Sequence, residues 1–134
     1  MRRLVLGGAQ RAAIARHVAG ALPDEACGLL IGRRDALDLR ISEIVPSANV
    51  AAEPRRRFEI DPALILRHQR ETRGRGDEIV GHFHSHPGGR AEPSAADRKD
   101  ASWPDQVWLI VANDDMRAFW CGGNFDFDAM EIVN

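Results

Sequence analysis

His84, Ser85, His86 and Pro87 stand in a row, and Pro93, Ser94 and Asp97 follow within one short stretch. On an extended strand, residues two apart face the same way. The imidazoles of His84 and His86 therefore leave one face, with their backbones about 7 Å apart. That arrangement suits two ligands of one metal ion. Pro87 lacks an N–H and fixes φ, so it ends the strand just past the second histidine. Ser94 opens a helix, and Asp97 sits on its first turn. Two imidazoles and one carboxylate make a three-ligand zinc set. Its fourth position is left for water, the plan of a catalytic rather than a structural site.

Each half of this constellation has a plainer reading. A His-x-His pair on a strand is often a surface feature or a set of satisfied core groups. Ser94-x-x-Asp97 is also the pattern of a helix N-cap with a reciprocal acid at N3. Capping and ligation are compatible, because the cap fixes the helix that carries Asp97. His82 shares the face of His84 and His86, which invites a three-histidine site. The outer pair spans about 13 Å of backbone, too wide for one ion without a bend. His82 is accordingly read as a packing group or a partner of the ligands. Asp100, one turn beyond Asp97, is the rival acid.

Taken together, these residues resemble a family. His84-Ser85-His86-Pro87, then Ser94 and Asp97 at their spacing, are similar to the JAMM signature of the MPN+ zinc metalloproteases. That signature also requires an upstream glutamate. The stretch Pro23–Gly32, with Glu25 in it, resembles the family's glutamate-bearing strand, and Phe58–Pro62 is a softer match. The resemblance implies the MPN fold, a curved mixed sheet with a helix on each side, akin to the cytidine deaminase-like architecture. It favours Asp97 over Asp100 as ligand, one zinc ion per chain, and Glu25 as the catalytic acid/base. Without that context Glu25 reads as a solvated strand-end carboxylate.

The chemistry follows from the set. Water on a three-ligand zinc ionises near neutral pH, and a carboxylate beside it can take the proton and pass it to a leaving amine. The Ser94 hydroxyl is placed to donate to the developing oxyanion. The family implies hydrolysis at the C-terminal tail of a ubiquitin-like protein. Small bacterial-type members act on ubiquitin-like sulfur carriers. The expected reaction is cleavage just after a terminal Gly-Gly, releasing cysteine or a short peptide. A broader isopeptidase on lysine-linked conjugates is the runner-up. A non-catalytic MPN scaffold would be a binding module, but such modules usually lack the ligands. A zinc nucleobase deaminase would need a Pro-Cys-x-x-Cys motif, which is absent.

Composition fits one domain over residues 1–134. The chain has 134 residues, is 44% hydrophobic and 28% charged, and carries a formal net charge of -2. Nothing in that balance argues for nucleic acid or a membrane as partner. Cys27 and Cys121 make no disulfide framework, and no apolar run is long enough for a signal peptide or a membrane span, so the expected compartment is the cytoplasm.

The elements that must position the site read as α+β. A first strand covers 3–6, and a helix covers 9–22 with Ile14, Val18, Ala21 and Leu22 on one face. Strands follow at 25–33 and 36–45, then a short strand at 58–60. A helix starts after Asp61, with Pro62 at N1. The histidine strand spans 78–86 and the Ser94 helix runs to 102. Closing strands lie at 107–112, 116–121 and 125–133. Arg55, Arg56 and Arg57 read as a solvated face, with an acidic partner as the alternative.

Overall fold

The apolar runs pair into one mixed sheet. The computed structural model describes residues 1–134. In chain order the elements are β1 (Arg3–Val5), α1 (Gly8–Ala21), β2 (Cys27–Asp35), β3 (Asp38–Ser47), α2 (Pro62–Arg73), β4 (Glu78–Ser85), α3 (Ala95–Asp100), β5 (Gln106–Ala112), β6 (Asp115–Cys121) and β7 (Phe127–Val133). The strand order is β1-β3-β2-β4-β5-β6-β7, and the sheet closes into a barrel because β1 pairs in parallel with both β3 and β7. β4 pairs antiparallel to β2 and parallel to β5. β5 is buried at every position, which is why its sequence is an unbroken apolar run.

The two faces of the sheet do different work. Leu30, Leu39, Val80, Phe83, Leu109 and Val111 belong to the main core, and Ile14 of α1 joins them. The opposite face carries a second cluster in which Leu29, Ile31, Val45 and Ile79 pack with Ile60 and with Leu64 and Ile65 of α2. Alternation along β4 sends Phe83 into the main core, where it is fully buried. It sends His82 and His84 to the other face, beside Trp108. Gly28 is required by this packing: a Cβ there would collide with the Phe83 ring and the Val45 carbonyl.

Several boundaries differ from the sequence expectation. β2 begins at Cys27, so Glu25 precedes the strand rather than leading it. β4 ends at Ser85, and His86 lies just beyond it. The expected strand at 58–60 is a single bridge between Asn49 and Ile60. α3 is shorter than expected, stopping at Asp100. On α1, Ile14 is buried and Val18 packs on the core, but Leu22 lies past the helix end and is 58% exposed. The sheet, expected only to be curved, is closed.

Candidate metal centre

Glu25 is held through both of its own backbone polar groups. Its N–H donates to the Pro54 carbonyl at 2.8 Å, and its own carbonyl accepts from Asn49 Nδ2 at 2.9 Å. The next residue, Ala26, donates its N–H to Ser85 Oγ at 2.8 Å, and Ser85 N–H returns a bond to the Ala26 carbonyl at 3.0 Å. Ser85 thus pins the glutamate segment to the strand that carries His84. Asn49 also reaches the Arg57 carbonyl and accepts from the Ala51 and Glu59 N–H groups, so it organises the 49–59 loop over the site. Neither Ser85 nor Asn49 stood out in the sequence. Ser85 sits inside the motif, and a small hydroxyl facing away from the two histidines was the available signal.

Ser94 caps α3. Its Oγ accepts from the Asp97 N–H at 3.0 Å, and Asp97 Oδ2 accepts from the Ser94 N–H at 3.0 Å. The capping box is therefore present, and it aims the Asp97 carboxylate at the histidines. Asp97 Oδ2 lies 3.1 Å from His84 Nε2 and 3.0 Å from His86 Nε2, and these two nitrogens are 3.1 Å apart. Asp100 is elsewhere: its Oδ2 takes Arg57 Nη1 at 3.0 Å, with both side chains about half exposed.

Donor chemistry would let this trio hold a cation. His86 Nδ1–H donates to the Arg90 carbonyl at 2.7 Å, which leaves Nε2 as a lone pair in the neutral ring. That lone pair and a carboxylate oxygen meet at about hydrogen-bond distance with His84 Nε2 beside them. The carboxylate of Glu25 completes the wall, since its ligand atom and those of His84 and His86 all lie within 4.8 Å of one another. Glu25 Oε1 is buried and bonds to nothing in the chain. A buried carboxylate oxygen without a donor is costly unless a cation or a protonated ligand faces it.

The electrostatics separate the groups. Burial raises the Glu25 pKa to about 7, with His86 pulling against it and Asp97 adding to it. Burial would also raise Asp97, but its bonds with His84 and His86 outweigh that and hold it well below the usual carboxylate range. Burial lowers His84 and His82. In His86 burial is overcome by Asp97, the Arg90 carbonyl and Glu25, so its pKa ends above the ordinary value.

Beside the centre lies a cavity of about 470 Å³, lined by Asp97 and His82 and by Phe58, Ile65, Trp103 and Trp108. Arg57 and Asp100, the ion pair noted above, also line it and link the 49–59 loop to α3. No helix is long and apolar enough to cross a membrane.

Comparison with known proteins agrees with this architecture. The chain is 41% identical over 129 residues to a desampylase of Haloferax volcanii, covering 92% of this chain and 91% of that protein. It is 32% identical over 103 residues to a probable TtuB-protein conjugate cleaving protease of Thermus thermophilus, covering 77% of this chain and 66% of that one. A JAB1/MPN domain protein from Archaeoglobus fulgidus superposes with a TM-score of 0.59 over 100% of both chains at 19% identity, which shows a shared fold. The family described as prokaryotic homologues of the JAB domain matches residues 9–122, and this chain, with a histidine and carboxylate cluster able to hold a metal ion, belongs to that family.

Proposed function

We propose that the protein is a zinc-dependent peptidase that hydrolyses the bond after the C-terminal Gly-Gly of a ubiquitin-like sulfur carrier. The observation that carries this is the trio of His84, His86 and Asp97 with the unpaired carboxylate oxygen of Glu25 beside it. Separations of 3.0–3.1 Å among the trio approach the roughly 3.3 Å between ligands of one tetrahedral ion with bonds of about 2.0–2.1 Å. Zinc there would supply Lewis acidity, for the attacking water and for the scissile carbonyl. Glu25, with its pKa near neutrality, accepts the water proton on its free carboxylate oxygen and delivers it to the departing amine. Ser94 Oγ accepts from Asp97 and donates to nothing in the chain. Its hydroxyl proton is therefore available to the developing oxyanion.

The substrate tail needs an extended binding edge. β4 is paired on both sides and cannot provide one. Phe58 and Ile60, which border the cavity, use neither backbone N–H nor C=O within the chain. An extended tail can pair with that segment on its way to the metal. Glycines next to the scissile bond let the backbone approach without a Cβ clash.

Two leaving groups fit this reading: a terminal cysteine or short peptide, and the lysine amine of a conjugated protein. The relative named as a conjugate cleaving protease favours the second. Offering the zinc-loaded protein both a carrier with a C-terminal cysteine and a lysine-linked conjugate, and weighing the products, distinguishes them. Release of the carrier with an intact Gly-Gly end is expected. No cleavage of either, or unchanged cleavage when Gly-Gly becomes Ala-Ala, would overturn the assignment.

A further inference from the structure

His84 and His86 are held in unlike ways. His86 donates its Nδ1–H to a carbonyl, an acceptor with no proton to give in return. His84 is fully buried, and neither a carbonyl nor a carboxylate meets its Nδ1. The atom found there is Nε2 of His82, at 3.0 Å. Phe58 stacks on both rings, with centroids 5.0 Å from His82 and 4.2 Å from His84, and Trp108 meets His82 edge-on at 4.7 Å. These contacts fix the His82 ring.

A nitrogen–nitrogen contact of this length holds one proton. If it sits on His84 Nδ1, the lone pair of His84 Nε2 points at Asp97 and His86 and can bind an ion. If it sits on His82, His84 carries its other proton on Nε2 and is lost as a ligand. A carbonyl would decide this by itself; an imidazole can be donor or acceptor. On His82, Nδ1 has no partner in the chain, and the residue lines the cavity. We propose that His82 is a positioning residue for the metal centre: its Nε2 accepts the Nδ1–H of His84 and so directs the His84 Nε2 lone pair at the ion. This rests on the metal reading given above.

Outer partners of metal-bound histidines are typically worth about 10–100-fold in metal affinity. The test pairs two variants with one direct measurement. His82→Phe keeps an aromatic ring for Phe58 to stack on but accepts no hydrogen bond. It is expected to hold zinc about 10–100-fold more weakly in chelator competition. His82→Gln loses the ring but restores an acceptor, and is expected to recover most of the affinity. A purely packing role predicts the reverse order. In wild-type protein labelled at histidine with ¹⁵N, His84 and His82 should both be Nδ1–H tautomers in the zinc form, with a nitrogen–nitrogen coupling across their bond. Equal zinc affinity in wild type and His82→Phe, or no such coupling, overturns the proposal and leaves the metal reading standing. Failure of the wild type to bind zinc overturns the metal reading instead. The coupling decides the matter even if His82→Phe does not fold.

Discussion

Two buried carboxylates face the same pair of histidines, and their surroundings give them opposite characters. Asp97 arrives on the first turn of α3, and one of its oxygens meets the Ser94 N–H, His84 and His86. Glu25 arrives on an irregular link before β2, and its Oε1 meets nothing. In the metal-free chain the bonds with His84 and His86 hold Asp97 ionised, whereas burial pushes Glu25 up to about 7. The chain thus separates a permanently charged carboxylate from a group that can take up and release a proton near neutrality. One carboxylate is given donors and the other is denied them.

The largest break in that comparison comes from removing the donor-rich side. Asp97→Ala and His86→Ala are each expected to fall from one zinc per chain to background after dialysis, with no measurable turnover. Asp100→Ala, which only frees Arg57, should keep the metal. Stoichiometric zinc in both of the first two variants would reverse the ligand assignment.

Next in size is the donor-poor side. Glu25→Gln is nearly isosteric and cannot accept a proton, so it should keep its zinc and lose about 10²–10⁴ in kcat. A zinc-loaded Glu25→Gln protein that turns over at the wild-type rate would remove the asymmetry from the mechanism.

Ser94 belongs to the Asp97 side structurally and, in the proposed reaction, is the oxyanion donor. Loss of a cap costs about 1 kcal/mol of stability, whereas loss of a transition-state donor costs about 10²–10³ in kcat. Ser94→Ala is expected to show both, with KM little changed. A drop in Tm with unaltered kcat would reduce Ser94 to its cap.

The two carboxylates were also unequally legible in the sequence. Asp97 could be reached from residues, because a helix opening at Ser94 and a strand ending at Pro87 place it near the histidines, and the resemblance chose it over Asp100. Glu25 could not: it lies in no periodic element, and its position depends on bonds to Asn49, Pro54 and, through Ala26, Ser85, all distant in sequence. Only the family resemblance marked it. The same limit explains the barrel. A three-residue β1 carries almost no pattern, yet its parallel pairing with β3 and β7 closes the sheet. Strand alternation put His82 on the face of His84 and His86 but gave backbone spacing only. The 3.0 Å contact with His84 depends on ring orientations that Phe58 and Trp108 impose.

The smallest effect is a difference in pH dependence, read on metal-free protein so that zinc does not mask it. Glu25 has a folded pKa of about 7 against an ordinary 4.5, so the folded chain binds more protons than the unfolded one between those values. The stability linked to Glu25 is therefore complete below about 4.5 and is lost as pH rises through about 7. Asp97 runs the other way. Its folded pKa lies below the ordinary 3.8, so its contribution is complete above that value and is lost as pH falls below it. Other groups also contribute to the pH dependence, so the informative quantity is the difference between wild type and Glu25→Gln. Thermal melts across the range should show wild-type Tm falling relative to Glu25→Gln up to about pH 7, with the curves running parallel above it. Parallel curves through the whole window would mean that Glu25 is not held in the donor-poor state that sets it apart from Asp97.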